Sequence, residues 1–215
     1  MQDHYQVARK RMIEEQLLPG GVSDKHILSV MGHLQRHRFV DVGMQDQAYL
    51  DRPLKIGHNQ TISQPLIVGL MTQALQLKKT DRVLELGTGC GYQTAILSEL
   101  AKEVFSIERI AALSLRARKT LYRLAYQNIH LKVGDGTLGW PEKAPFDAIL
   151  VTAASPEIPK PLKEELNEGG RLVIPVGGEW EQQLLLIQKI KGECKEEILS
   201  GCRFVKLIGD YGWDK

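Results

Sequence analysis

Three acidic side chains stand at the ends of three successive apolar runs. Glu85 lies just before a glycine-rich turn over 87–91, Glu108 ends the next run, and Asp135 follows the third. At such positions Glu108 could accept hydrogen bonds from both hydroxyls of a ribose, and Asp135 could accept one from an adenine amino group. A carboxylate beside the glycine turn would repel a pyrophosphate and attract a cation. Together the three acids favour a cationic adenosine compound without phosphates, and S-adenosylmethionine is such a ligand.

The glycine spacing distinguishes this ligand from a dinucleotide. Gly87, Gly89 and Gly91 form the pattern G-x-G-x-G, whereas a dinucleotide turn has its third glycine one residue later, where this chain has Tyr92. The spacing therefore disfavours a nicotinamide cofactor. Simpler interpretations stay open at this point: a tight turn without a ligand, a solvated acid at the end of the second run, and a plain Gly-Asp-Gly turn after the third.

The elements that must position these acids alternate along the chain. Short apolar runs alternate with helical periodicity, which is the pattern of a parallel sheet covered by helices on both faces. The last two runs have no helix between them and predict an antiparallel hairpin at the sheet edge. The fold class is therefore α/β, with a doubly wound, mostly parallel seven-stranded sheet. The predicted strands are 82–87, 103–108, 129–133, 146–151, 170–174, 183–191 and 198–208, and the predicted helices between them are 92–100, 110–126 and 161–166.

The first 60 residues predict helices rather than strands. Apolar residues at helical spacing indicate a helix over 5–18, and the Pro-Gly-Gly stretch that follows would end it. Ser23 predicts the N-cap of a second helix. Residues 41–60 show no clean period and are expected to be irregular. A third helix is expected to begin at Pro65.

Composition is that of an ordinary globular protein. Of the 215 residues, 43% are hydrophobic and 25% are charged, and 28 basic against 26 acidic residues give a net charge of +2. This balance gives no electrostatic reason to expect a nucleic acid or a membrane surface as a partner, and no apolar stretch is long enough to span a bilayer. Three cysteines without a CxxC pair fit a reducing, cytoplasmic setting and suggest no metal site. We expect a monomer with one domain over 1–215, made of a helical N-terminal extension over 1–60 and an α/β core over 61–215.

Four parts of the sequence carry a family signature. They are Ile56–Pro65, Val83–Gln93, Val133–Gly136 together with Phe146–Ala154, and Gly169–Gly177. In these segments the chain resembles the protein-L-isoaspartate O-methyltransferases, and the resemblance covers nearly the whole chain. Many methyltransferases share the glycine turn, whereas the Gln-Thr-Ile-Ser-Gln-Pro stretch is specific to this family. The chain departs from the family at Lys206, where a proline is usual, and over 41–47.

The resemblance implies an activity, a fold and a set of site residues. The activity is transfer of a methyl group from S-adenosylmethionine to the free α-carboxylate of L-isoaspartyl residues in damaged proteins and peptides, which starts their repair through a methyl ester and a succinimide. The fold is that of the Rossmann-like class I methyltransferases. Together with the strand-end acids, the family motifs predict cofactor contacts at Gln60, Thr61, Ile62, Ser63, Glu85, Gly87, Thr88, Gly89, Gly91, Glu108, Arg109, Gly134, Asp135 and Gly136, substrate contacts at Gly57, His58, Asn59 and Ile208, and Ser63 as the active-site serine.

The chemistry of this transfer depends on positioning rather than on a base. A free α-carboxyl group ordinarily has a pKa of roughly 3.3–3.7 and is already ionised at neutral pH. The protein must align that carboxylate with the methyl group and exclude water. The Ser63 hydroxyl is the candidate donor that holds one carboxylate oxygen while the other attacks, and His58 is not needed as a base. The alternative for Ser63 is a role as the N-cap of the helix at Pro65. Two other functions stay open, a nicotinamide-dependent oxidoreductase and a non-catalytic module that binds S-adenosylmethionine.

Overall fold

The computed structural model describes residues 5–214 and is built on a seven-stranded sheet. In chain order the strands are β1 (Leu54–Gly57), β2 (Gln60–Ile62), β3 (Arg82–Leu86), β4 (Glu103–Glu108), β5 (Ile129–Val133), β6 (Phe146–Val151), β7 (Leu166–Gly177), β8 (Gln182–Ile190) and β9 (Glu193–Cys202). The main sheet has the order β5-β4-β3-β6-β7-β8-β9, and β1 pairs with β2 in a separate hairpin. The strands from β5 to β7 are parallel neighbours, whereas β8 and β9 are antiparallel. The predicted fold class is confirmed.

Helices connect the parallel strands and cover both faces of the sheet. They are α1 (Gln6–Arg11), α2 (Lys25–His33), α3 (Pro65–Ala74), α4 (Tyr92–Leu100), α5 (Ala111–Arg123) and α6 (Lys160–Glu165). Side chains alternate between the faces of β3: Leu84 and Leu86 pack in one apolar cluster with Leu162 of α6, and Val83 packs in another with Leu97 of α4. Burial on both faces explains why these strands read as continuous apolar runs.

The N-terminal segment is helical but not entirely so. The predicted helix over 5–18 consists of α1 followed by a π-helical turn over Met12–Leu17. The N-cap of α2 is Asp24, whose carboxylate accepts the amides of His26 and Ile27, so the prediction of Ser23 was wrong by one residue. The expectation of an irregular 41–60 segment was also wrong, because it holds a 3-10 helix over Val42–Gln47 and the strand β1.

The second strand of the C-terminal hairpin begins and ends earlier in the chain than its sequence pattern predicts. Strand β9 ends at Cys202, whereas a strand over 198–208 was predicted. The following segment crosses the carboxyl end of the sheet, where Ala154 donates to the carbonyl of Val205 and accepts from the amide of Leu207. This crossing places residues 205–208 against the strand ends that carry the acidic side chains.

Two findings limit the kinds of site within residues 5–214. No helix there combines the length and apolarity needed to cross a lipid bilayer. In the same residues, no three histidine, cysteine, aspartate or glutamate side chains come together closely enough to hold a metal ion.

Candidate active site

The turn after β3 has a backbone that suits glycine alone. The φ angles of Gly87, Gly89 and Gly91 are 95°, 54° and 89°, and Gly91 is the N-cap of α4. A Cβ built on Gly87 would lie 2.4 Å from Oγ1 of Thr152, so a side chain has no room there. The turn therefore presents bare backbone to the space beyond the strand ends, where a ligand can approach closely.

Glu108 is held in place by the main chain on both sides. Its Oε2 accepts the amide of Gly89 at 2.8 Å, and its Oε1 accepts the amide of Ile110, also at 2.8 Å. The residue is 6% exposed and lines the cleft beside the glycine turn. A carboxylate can accept about four hydrogen bonds. The two hydrogen bonds from backbone amides therefore fix its orientation and leave room for it to accept two more from a diol.

Asp135 is more heavily engaged with its own chain. Its Oδ1 accepts both the amide and the hydroxyl of Thr137, at 2.8 and 2.7 Å, and its Oδ2 accepts the amide of Asp210 at 2.8 Å. The carboxylate thus caps the 3-10 turn over Gly136–Leu138 and ties it to the C-terminal segment. Its neighbour Gly136, rather than Asp135, lines the cleft.

Glu85 lies behind the glycine turn. It is fully buried, and its Oε2 accepts the hydroxyls of Thr94 and Ser106, both at 2.6 Å. Its Oε1 has no partner among the described residues. Burial raises the pKa of Glu85 to about 8, so the carboxyl group is mostly protonated at neutral pH. This environment does not favour the anionic contact with a cationic ligand that the sequence predicts, and that contact stays a prediction.

Three adjoining cavities lie outside the carboxyl ends of β3, β4 and β6. We call them the strand-end cleft, which Glu108 lines, the inner pocket, which Cys90 lines, and the outer groove, which Arg203 lines. Thr61 and Thr152 line all three, so the cavities adjoin one another, and together they are called the connected site below. Of the predicted residues, the strand-end cleft brings together Gln60, Thr61, Gly87, Gly89, Glu108, Arg109, Gly136 and Ile208, and the inner pocket adds Ile62, Ser63 and Thr88.

Ser63 lies where the inner pocket meets the outer groove. It is partly buried, lines both cavities, and its hydroxyl makes no hydrogen bond to any residue from 5 to 214. The N-cap of α3 is Gln64, and the amide of Leu66 in the first helical turn donates to Asp51 at 2.9 Å. The alternative that Ser63 is the cap of this helix is therefore wrong, and its hydroxyl is free to serve the site.

The predicted substrate contacts fall in two places. His58 and Asn59 form the two-residue turn between β1 and β2, with φ of 52° and 57°, which is the type I′ geometry of tight hairpins. These two residues and Gly57 are exposed, and none of the three lines the connected site. Ile208 lies on the wall of the strand-end cleft. The substrate roles of these residues stay predictions.

Comparison with known proteins agrees with this geometry. A sequence model of the protein-L-isoaspartate(D-aspartate) O-methyltransferase (PCMT) family matches residues 7–212. The chain is 55% identical over 216 residues to the protein-L-isoaspartate O-methyltransferase of Syntrophus aciditrophicus (strain SB), with 99% of both chains covered. It is 52% identical over 211 residues to that of Geobacter metallireducens, with 98% of both covered.

The chain belongs to the protein-L-isoaspartate(D-aspartate) O-methyltransferase family. The use of S-adenosylmethionine expected from the strand-end acids and the glycine spacing is confirmed, and the nicotinamide-dependent alternative is not favoured.

Solved structures of the family share this fold. A protein-L-isoaspartate O-methyltransferase superposes with a TM-score of 0.86 at 29% identity, covering 95% of this chain and 67% of the other. A beta-aspartate methyltransferase (PCMT) from Plasmodium falciparum, solved in complex with S-adenosyl-L-homocysteine, superposes with a TM-score of 0.82 at 26% identity, covering 93% and 98%.

The methyltransferase site also contains two residues that were not among the predicted site residues, Thr152 and Lys206. Thr152 follows β6, and its hydroxyl donates to the carbonyls of Leu86 and Gly87 at 3.0 and 2.9 Å. The rule that ligands bind beyond the carboxyl ends of parallel strands could have found it. Lys206 lines the strand-end cleft, and its ammonium lies 3.2 Å from the carboxylate of Glu179. No local pattern marks this position as part of the site, because the folding of the chain brings it there.

Proposed function

We propose that this methyltransferase esterifies the free α-carboxylate of L-isoaspartyl residues in damaged proteins and peptides, and that Ser63 positions that carboxylate. The observation that carries the proposal is the continuity of the site. Ser63 belongs to the inner pocket and the outer groove, and Thr61 and Thr152 join both to the strand-end cleft. A cofactor in the cleft and a peptide in the groove would therefore meet beside the Ser63 hydroxyl.

The strand-end cleft has the chemistry that an adenosine cofactor needs. Glu108 offers a fixed carboxylate to the ribose, the bare backbone of Gly87 and Gly89 admits close approach, and Ile107 and Ile110 supply apolar walls. S-adenosylmethionine bound there supplies a methyl group activated by a sulfonium. The remaining residues of the cleft bind and orient, since the nucleophile needs no base.

Ser63 suits the role of a carboxylate donor. Its backbone is fixed by a hydrogen bond from Arg36 to its carbonyl at 2.6 Å, while its hydroxyl has no partner among residues 5–214. A hydroxyl on a fixed backbone donates to one carboxylate oxygen at little entropic cost and leaves the second oxygen free to attack. The side chain forms no covalent bond in this scheme.

The outer groove suits an anionic peptide. Of the described residues that line it, Arg203 is the single charged one. Its guanidinium has no carboxylate partner within residues 5–214 and lies 5.3 Å from the ring centre of Trp180, which is 77% exposed. A cation without a carboxylate partner, in a groove whose other described lining residues are neutral, attracts an anionic peptide.

One assay tests the proposed function. The purified protein is incubated with methyl-labelled S-adenosylmethionine and either an isoaspartyl peptide or the same peptide with a normal aspartyl residue. We expect base-labile label in the isoaspartyl peptide and background in the control. Equal labelling of both peptides, or label in neither, contradicts the proposal. Label in neither, with S-adenosylhomocysteine still bound, would indicate the non-catalytic binding module instead.

The setting of the protein is part of the same proposal. Cys90, Cys194 and Cys202 are all free thiols, which suits the reducing cytoplasm. We propose a cytoplasmic monomer. Light scattering of the purified protein checks the monomer, and a mass near twice 24.2 kDa contradicts it.

A further inference from the structure

Arg36 is a fully buried cation that lies outside the predicted site but touches it. It follows α2 in a 3-10 turn over Arg36–Phe39 and is 0% exposed. Its Nε donates to the carbonyl of Ala48 at 2.7 Å, and its Nη2 donates to the carbonyl of Ser63 at 2.6 Å. One guanidinium thus joins the N-terminal segment to the backbone of the proposed active-site serine.

Among the residues that the structure describes, no acid balances the charge of Arg36. No carboxylate in residues 5–214 lies within ion-pair distance, and Nη1 has no hydrogen-bond partner there. Burial lowers the pKa of Arg36 because it penalises the charged form. A buried charge without a counterion is costly, and an apolar side chain of similar volume is commonly tolerated or favoured at such a position. Packing alone therefore does not explain an arginine here.

The guanidinium also contacts the first residue after the glycine turn. Its Cζ lies 4.7 Å from the ring centre of Tyr92, the first residue of α4 after Gly91, in a cation–π arrangement. Tyr92 is 1% exposed and lines the inner pocket together with Ser63. Arg36 therefore contacts the two chain segments that must keep a constant separation for the reaction, the one that carries Ser63 and the one that shapes the cofactor cleft.

We propose that Arg36 is a positioning residue for methyl transfer, which holds the Ser63 backbone against Tyr92 so that the serine hydroxyl meets the substrate carboxylate. The proposal rests on the proposed function of Ser63. A charged donor binds a carbonyl more strongly than a neutral one, and its planar fork serves two carbonyls at once. Lysine at this position would keep the charge but could not donate to both carbonyls in the same fixed planar geometry.

The chain offers a matched control in Arg9. This arginine lies in the same N-terminal segment and is 7% exposed. Its Nε donates to the carbonyl of Gly32 at 2.7 Å, and its Nη1 donates to the hydroxyl of Tyr49 at 3.3 Å. It donates to a backbone carbonyl as Arg36 does, but no hydrogen bond joins it to Ser63. A loss of fold stability alone should therefore appear in Arg9→Lys as well as in Arg36→Lys.

The test is a double-mutant cycle on the full-length enzyme, using Arg36→Lys, Ser63→Ala and their combination. An isoaspartyl peptide gives kcat and KM, calorimetry gives S-adenosylhomocysteine affinity, and thermal melting gives the folded fraction. We expect Arg36→Lys to lower kcat per folded molecule roughly tenfold, because a misplaced donor loses most of its effect. Cofactor affinity should stay within about twofold, and in the Ser63→Ala background the same change should cost less than about threefold. Arg9→Lys should leave kcat within about twofold.

Each other outcome has a defined meaning. An unchanged kcat in Arg36→Lys with a lowered melting temperature overturns the proposal, as does a full tenfold loss in the Ser63→Ala background. If Arg36→Lys does not fold, Tyr92→Leu supplies the second variant, since it removes the ring on which the guanidinium stacks. Its loss of kcat should likewise depend on Ser63, and an additive loss overturns the proposal. Wild-type enzyme that methylates no isoaspartyl peptide refutes the proposed function itself, which is a different result.

Discussion

Glu108 and Gly89 are joined by a hydrogen bond of 2.8 Å from the glycine amide to the carboxylate, although they belong to different strand–helix units. The bond fastens the glycine turn after β3 to the end of β4, and it does so through the acid proposed to hold the ribose. On that proposal, the shape of the turn and the binding of the cofactor are coupled through one side chain.

This coupling gives the first prediction. Glu108→Ala should weaken binding of S-adenosylmethionine and of S-adenosylhomocysteine by the same factor, because both carry the ribose. A charge-assisted bond is worth about 1.5–3 kcal/mol, so the loss should be at least roughly tenfold. Calorimetry with both ligands measures it. Glu103→Gln at the other end of β4 is the matched control, and a loss confined to S-adenosylmethionine would show that Glu108 responds to the sulfonium instead.

The second prediction separates two roles of Asp135. Its carboxylate caps a turn and holds Asp210, so Asp135→Ala should loosen the C-terminal segment and weaken every cofactor analogue to some extent. If it also accepts the adenine amino group, the variant should lose about 1–2 kcal/mol more with S-adenosylhomocysteine than with S-inosylhomocysteine, which lacks that group. Equal losses with the two ligands would assign Asp135 to structure alone.

The third prediction concerns Ser63 and Asp51. Ser63→Ala should lower kcat by roughly 10²-fold or less, with cofactor affinity and melting temperature nearly unchanged, because it removes a neutral donor that does not cap α3. Asp51→Ala should do the opposite, costing about 1 kcal/mol of stability with normal turnover, since it removes the oxygen that accepts an amide in the first turn of α3. The pH profile of Ser63→Ala should gain no limb near neutrality. A melting shift with normal turnover in Ser63→Ala would remove it from catalysis.

The fourth prediction concerns pH and Glu85. Burial raises the pKa of Glu85 from its ordinary value of 4.5 to about 8 in the folded protein, so the folded state holds this proton more tightly than the unfolded state does. The free energy of unfolding should therefore fall as pH rises between these two values, by at most about 1.4 kcal/mol per pH unit for one group, and level off above them. Glu85→Gln should remove this contribution. Urea unfolding of both proteins across this pH range measures it, and identical slopes would contradict it.

The fifth prediction concerns Arg203 in the outer groove. Arg203→Gln should raise KM for isoaspartyl peptides severalfold, with kcat and cofactor affinity nearly unchanged, because the groove loses its one charged side chain among the described residues. The effect should shrink as salt is added. Arg123→Gln on the exposed end of α5 is the control. An unchanged KM at low salt would remove Arg203 from substrate binding.

Local patterns in the sequence predict what depends on local physics. The order of strands and helices follows from the apolar runs, and the clustering of the acids at the ends of β3, β4 and β5 follows from the geometry of parallel sheets. Features that depend on contacts between residues far apart in the sequence cannot be predicted from local patterns. Asp51 satisfies an amide of α3 from fifteen residues away, which left Ser63 looking like the cap. The hairpin of β1 and β2 turns on His58 and Asn59 instead of the usual glycine, so its signal is weak.

The prediction from sequence fails most clearly at residues 205–208, which form one wall of the strand-end cleft. No local pattern in this segment marks it as part of a binding site: Ile208 was predicted as a substrate contact from the family resemblance alone, and the predicted strand over 198–208 ran through the segment. Its place is set by the bridge to Ala154, which only the folded chain creates. Thr152 was missed for a related reason. Its hydroxyl donates to the carbonyls of Leu86 and Gly87, which are far away in the sequence.

The same wall has a consequence for how the chain folds while it is being synthesised. The glycine turn and Glu108 leave the ribosome well before Val205 and Ile208, which complete the cleft around them. A nascent chain that has already folded its first parallel strands still lacks one side of the cofactor site. Ligand binding therefore stabilises such a chain less than it stabilises the complete protein, and the strands depend more on their own apolar contacts until translation passes the segment that closes the cleft.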